Sequence, residues 1–341
     1  MRKGVKLKTE THESRKMPER DIISRISGGH EEVKEDLVAG IGDDCAVYRP
    51  SGNRLQLLTC DSLIESVHFD LTWHPPELLG AKAVSVNVSD IAAMGGRPGF
   101  AVLALGLSRG CNDWLDLFIR GFKERLREYQ IQLIGGDTVD TNDGFMITVT
   151  LTGEVEERDI CYRSGARQDD IVWVSGPLGQ AAAGLEICRN HPGLKDSYPS
   201  LVKAHLSPEP CLELGGLLAR SGLVHAMIDL SDGLATDLGH IAEASGTGAE
   251  VYREDIPISA DLIDFACKPA CSPLDLALKG GEDYQLLFTT APQNRDAVLR
   301  LAADNQYALY PVGRIVKGSG VVLREGENRQ DITYQGYEHQ S

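Results

Sequence analysis

Five apolar stretches of this chain run into aspartate, and a fold that buries them has to carry those carboxylates to wherever the stretches end. Gly40-Ile41-Gly42 leads into Asp43-Asp44, Leu57-Leu58-Thr59-Cys60 into Asp61, Val86-Asn87-Val88-Ser89 into Asp90, and Ile131 to Ile134 into Gly135-Gly136-Asp137. The fifth, Val224 to Leu234, reads as a buried strand that delivers Asp229 and Asp232 to a turn, with Gly233 leaving room for a ligand or an unusual backbone angle. Taken singly, each is also an ordinary turn signal, because Asp and Gly are common in turns. Taken together they predict one acidic site assembled from distant segments.

Two carboxylates about 4 Å apart repel by roughly 4 kcal/mol at an effective dielectric near 20. Such a site requires cations or bound protons. All-oxygen ligands without a His or Cys cage favour Mg2+ or Mn2+ over zinc. The chain carries a formal net charge of -16 at pH 7, which argues against a nucleic-acid binder and means that a phosphorylated ligand needs metal help.

The 341 residues, 42% of them apolar, suit two domains with proper cores. No apolar stretch approaches the roughly 20 residues of a bilayer span, and Met1 to Arg20 lacks a signal core, so a cytoplasmic protein that contacts no membrane is expected. Eight cysteines without a CxxC pair or regular spacing are expected to be reduced thiols. Residues 1–18 are expected to be a disordered extension, 19–155 a first domain and 156–341 a second. Strands are predicted at 55–60, 100–107, 131–134 and 145–151, then at 171–174, 224–234, 249–252, 284–289 and 321–323. Helices are predicted at 19–26, 77–94, 114–129, 178–189, 201–206, 211–220, 234–244, 260–267, 273–278 and 296–304, making an α/β protein. Val84, Val86 and Val88 alternate as in a strand, but Ala81, Val84, Val88 and Ile91 fit the helical period and Gly95-Gly96 supplies a stop.

Gly280-Gly281-Glu282-Asp283-Tyr284 is a further glycine-led acidic turn, either a helix C-cap or a place where Glu282 meets a cationic or hydrogen-bond-donating substrate. Arg163 and His68 are ordinary surface and structural residues by default, although an arginine beside an acidic metal site suits a phosphate. The chain has no Walker loop, protein-kinase catalytic loop, GxSxG elbow, HExxH, EF-hand loop or full GxGxxG.

As a set, Gly40 to Ala46, Asn87 to Gly95, Leu133 to Thr138, Arg163 to Ala166, Ile228 to Leu234, Gly280 to Tyr284 and Gly336 to His339 resemble the thiamine-monophosphate kinase family of the aminoimidazole-ribonucleotide-synthetase superfamily. The order and spacing match from about residue 19 onward. The resemblance implies an α/β (α+β) protein whose N-terminal mixed sheet pairs with a second copy in a homodimeric β-barrel, followed by a C-terminal α/β domain completing the site. It implies ATP and thiamine monophosphate as substrates with several Mg2+ ions. Asp43, Thr59, Asp61, Asp90, Asp137, Asp229 and Asp232 would be metal ligands, and Gly136, Asp137, Arg163 and Ser231 would contact ATP. His68, Glu282 and Tyr337 would contact thiamine monophosphate, with Tyr337 offering an aromatic face to the cation. No residue is expected to act as a general base. Cys60 departs from the family's usual Ser or Thr, and a thiol is a poor magnesium ligand. Within the superfamily, selenophosphate synthetase would want a reactive Cys in a glycine-rich N-terminal loop, and the hydrogenase-maturation relative a C-terminal Cys; Gly28-Gly29-His30 and the terminal Gln340-Ser341 offer neither.

Overall fold

The structure, a computed structural model, describes residues 36–39, 42–50, 54–108, 112–142, 144–268 and 271–337. The extension 1–18 and the helix expected at 19–26 lie outside the described residues. The first half contains β1 (Leu37–Ala39), β2 (Ala46–Tyr48), β3 (Arg54–Ile64), α1 (Pro76–Ala93), β4 (Arg97–Leu107), α2 (Asn112–Glu128), β5 (Gln132–Asp140) and β6 (Met146–Glu156). The second contains β7 (Ile171–Val174), α3 (Gln180–Asn190), α4 (Pro199–Leu206), α5 (Leu212–Ser221), β8 (Val224–Asp229), α6 (Leu234–Ser245) and β9 (Gly248–Tyr252). It continues through α7 (Ala260–Ala266), α8 (Pro273–Lys279), β10 (Leu286–Thr290), α9 (Arg295–Asp304), β11 (Tyr310–Val316), β12 (Gly320–Glu325) and β13 (Asn328–Asp331).

Two mixed sheets result. The first runs β1-β2-β3-β6-β4-β5, antiparallel except for the β4–β5 pair, which α2 connects as a parallel crossover. The second runs β13-β12-β9-β11-β7-β10-β8, with β12–β9 its parallel pair. Phe69, Leu79, Phe118, Phe122 and Ile147 belong to the first core; Val172, Ile228, Leu234, Leu287 and Val312 belong to the second. Among the described residues no helix is long and apolar enough to cross a membrane.

Helix α1 holds the site together. Pro76 starts it, where a missing N–H costs nothing, and Gly95 at φ +72 ends it. Every residue from Leu79 to Ala93 is buried except Asp90. A helix enclosed on all sides needs no polar face, which is why Val84, Val86 and Val88 can mimic a strand. Gly80 lets it approach α2, since a Cβ there would sit 2.2 Å from the Phe118 carbonyl oxygen.

Two expectations about the acidic runs are corrected. Asp61 lies inside β3 and does not close it, whereas Asp90 lies inside α1, where the helix expected at 77–94 already placed it. Strand β5 does not stop at Ile134 but continues through Gly135 and Gly136 to Asp140, because a Cβ at Gly136 would fall 2.0 Å from the Leu103 carbonyl oxygen of the neighbouring strand. All of β5 is exposed.

Candidate active site

The loop before β2 meets the segment after β6. Asp43 accepts the backbone N–H of Asp44 at 3.0 Å and that of Arg163 at 3.3 Å, while the Arg163 Nη2 donates to Asp44 Oδ1 at 2.7 Å. Asp44 is buried at 8% exposure. Burial opposes the charge on Arg163, but Asp44 outweighs it and holds the guanidinium more firmly protonated than usual. Burial and then Asp44 push the Asp43 carboxyl up to about 6.

Three elements then bring carboxylates to this corner. Asp44, Asp90 and Asp229 each offer an oxygen, and these oxygens lie within 4.8 Å of one another. The α1 motif supplies the scaffolding. Asn87 accepts the Asp61 N–H through Oδ1 at 3.2 Å, Ser89 Oγ donates to Asp229 at 2.6 Å, and Asp90 accepts from the Thr59 hydroxyl. Burial, then Asp44, raises Asp61 to about 6 and Asp229 to about 8; burial, then Asp61 and Asp229, raises Asp90 far above the usual range. Oxygens so crowded retain protons or bind a cation, and an all-oxygen donor set of this kind fits Mg2+.

Asp232 falls in a neighbouring group with Asp237 and His240, whose ligand atoms also lie within 4.8 Å of one another. Asp237 accepts the N–H groups of Asp232 and Gly233 at 3.1 and 3.0 Å, tying down the turn into α6. Burial, then the charge of Asp232, raises its pKa well above normal. Ser231 and Glu282 share this neighbourhood: the Glu282 N–H donates to the Ser231 carbonyl at 2.8 Å. Tyr337, 46% exposed, donates its N–H to the Asp232 carbonyl at 2.9 Å, laying the C-terminal segment over that turn.

Asp137 and Gly136 lie apart, on exposed β5, where the Asp137 carboxylate accepts the Thr138 N–H at 2.9 Å and makes no hydrogen bond or ion pair to the cluster. His68 sits half-buried after β3 and accepts the Ile64 N–H through Nδ1 at 3.0 Å. Cys60 points to the strand face opposite Thr59 and Asp61, its sulfur accepting from Thr150.

Sequence reasoning missed several participants. Asp44 stood in a quoted motif without a role, and Asn87 and Ser89 were read only as part of a run. Lys82, whose Nζ lies 2.7 Å from Glu282, had a usable signal as the one basic residue of α1, whereas His205, 2.9 Å from the same carboxylate, had none.

Residues 42–155 and 167–325 match the family descriptions "AIR synthase related protein, N-terminal domain" and "AIR synthase related protein, C-terminal domain", which sets the class: an AIR-synthase-related protein. Within that class, the thiamine-monophosphate kinase of Haemophilus influenzae is 36% identical over 329 residues, covering 95% of this chain and 98% of that protein. A solved structure described as AaThiL complexed with AMPPCP and TMP superposes with a TM-score of 0.77 at 32% identity, over 91% of this chain and 94% of that one. The thiamine-monophosphate kinase of Stenotrophomonas maltophilia K279a gives 0.73 at 37% identity, over 89% and 94%. Hydrogenase maturation protein HypE shares the fold at a TM-score of 0.66 and 20% identity, covering 88% of this chain and 90% of that one. The chain belongs to the thiamine-monophosphate kinase family.

Proposed function

We propose that this protein transfers the γ-phosphoryl group of ATP in line to the phosphate of thiamine monophosphate, giving thiamine diphosphate and ADP. The convergence of Asp44, Asp90 and Asp229 within 4.8 Å carries the reading, and the relative bound to AMPPCP and TMP supports the substrate pair. The acceptor needs no general base, because a phosphate with a second pKa of about 6 is already ionised near neutral pH. The chain's work is alignment and charge management.

Asp44, Asp90 and Asp229 would hold Mg2+, with Asp43, Thr59, Asp61, Asp137 and Asp232 as the further ligands implied by the family motifs. Bound there, the metal supplies neutralisation of the charge shared by donor and acceptor phosphates. Arg163 keeps its charge beside Asp44 while its Nε is buried without a hydrogen-bond partner among the described residues, leaving a donor for a nucleotide phosphate. Gly136 and Ser231 would approach the same nucleotide, and His68, Glu282 and Tyr337 the thiamine moiety.

The division at residues 155 and 156 gives each half one part of the site. A second copy of the chain is the partner we assign to the first sheet, where Phe100, Val102, Leu133, Ile134 and Val139 are exposed on β4 and β5. Incubation with ATP, Mg2+ and thiamine monophosphate should yield thiamine diphosphate with stoichiometric ADP; a folded sample that makes neither overturns the assignment.

A further inference from the structure

Lys82 lies in α1 with its side chain 0% exposed, and its Nζ is 2.7 Å from Glu282 Oε1. On the other side of the carboxylate, His205 of α4 brings Nδ1 to 2.9 Å from Oε2, also from a nearly closed site at 1% exposure. The Glu282 side chain itself retains 24% exposure. Its loop is fixed independently: Glu282 and Tyr284 take φ of +68 and +48, and a Cβ at Gly281 would lie 2.4 Å from the Ser231 carbonyl oxygen. Non-glycine residues hold such angles only where the surroundings impose them.

Enclosing an ammonium group costs several kcal/mol, and a well-packed apolar pair in its place is often as stable or more so. Packing alone therefore gives no reason for Lys82. We propose that Lys82 and His205 are positioning residues that hold the Glu282 carboxylate ionised and directed to its exposed side, as an oriented hydrogen-bond acceptor for the substrate's N–H donors. The proposal rests on the function proposed above and adds to it that the charge of Glu282 is already balanced by Lys82. Glu282 then reads donor geometry on the thiamine moiety rather than its positive charge. Helix α1 sets the span, since Lys82 and Asp90 stand about 12 Å apart along one axis at 1.5 Å per residue.

The groups facing His205 are Lys82, Glu282, His74 and Arg189. Burial and then the charge of Lys82 keep His205 from protonating, and the same two causes push His74 down to about 3. Removing Lys82 leaves Glu282 facing His205 alone, which should then take up a proton in the lysine's stead as pH falls.

The test compares wild type, Lys82→Met and His205→Leu. In Lys82→Met, the KM for thiamine monophosphate relative to wild type should rise about tenfold or more at pH near 8.5 and much less near pH 6, with the KM for ATP unchanged. A merely structural role gives a ratio that is flat in pH, and that result, or an unchanged KM, overturns the proposal. If Lys82→Met does not fold, His205→Leu decides: a KM for thiamine monophosphate raised about tenfold with kcat within about threefold supports it, and an unchanged KM refutes it. Histidine NMR separates this inference from the function beneath it. His205 should stay neutral from about pH 6 to 8.5 in wild type and titrate in Lys82→Met, whether or not the wild type makes thiamine diphosphate. A wild-type His205 that titrates in that range sinks the charge balance, while a wild type without product sinks only the proposed reaction.

Discussion

Replacing Asp229 by asparagine removes one of three carboxylates whose oxygens lie within 4.8 Å of one another, yet keeps an oxygen for the 2.6 Å bond from Ser89. Two unit charges at that separation repel by about 3.5 kcal/mol at an effective dielectric of 20. Burial first, and Asp44 next, raise the Asp229 pKa to about 8. The unfolded chain releases this proton near pH 4, whereas the folded, metal-free chain keeps it until about pH 8. Unfolding between those values therefore releases a proton, and this group's contribution to stability is lost as pH rises. Asparagine has no such proton. In chelator near pH 8, Asp229→Asn should melt above wild type by about 6–12 °C, taking roughly 3 kcal/mol at 2–4 °C per kcal/mol. The gap should narrow near pH 6, and Mg2+ should raise the wild-type melting temperature while scarcely moving the variant's. Turnover should fall at least about a hundredfold with the ligand gone. Scanning calorimetry across this pH range, with and without Mg2+, checks the set. A variant that melts below wild type in chelator near pH 8, or a gap indifferent to pH, would refute the reasoning.

Asp137→Asn should lose about a hundredfold or more in thiamine diphosphate formation with an unchanged melting temperature, because the residue is exposed; near-normal turnover removes Asp137 from the metal site. Cys60→Ser should keep turnover within about twofold, since the thiol faces away from Thr59 and Asp61, and a large loss in a steady-state assay would contradict that placement. Ile134, 58% exposed on β5, should be central to self-association: Ile134→Glu is expected to shift light-scattering mass from dimer to monomer, and an unaltered dimer would put the interface elsewhere.

The apolar runs made most of the architecture readable, but they did so by burial rather than by position. Of the aspartates singled out in the sequence, Asp90 and Asp229 meet Asp44, Asp232 falls in the neighbouring group with Asp237 and His240, and Asp137 stays on exposed β5; Asp61 and Asp90 stand within a strand and a helix rather than at their ends. A side chain within an element can reach the site as well as one at its end, and spacing does not distinguish the two. Strand β11 was missed because Pro311 and Gly313 look like breakers, and β13 because Asn328 to Asp331 has no apolar residue to alternate. Both are held by neighbouring strands, a tertiary effect that local pattern does not contain. Contacts between distant segments were equally hidden. Arg163 meeting Asp44, or His205 meeting Glu282, joins residues more than seventy positions apart, and nothing in either segment's own pattern names its partner.

The enclosure of α1 also bears on synthesis. Its cover comes from β3, β6 and α2 in the first half but also from α5 and β8 in the second. As the chain is made, the helix is complete while on the order of a hundred residues that finish its cover remain to be translated, a delay of roughly ten seconds. During that interval the nascent first half displays an apolar surface with nothing of its own to hide it, which makes this stretch a natural point for chaperone capture.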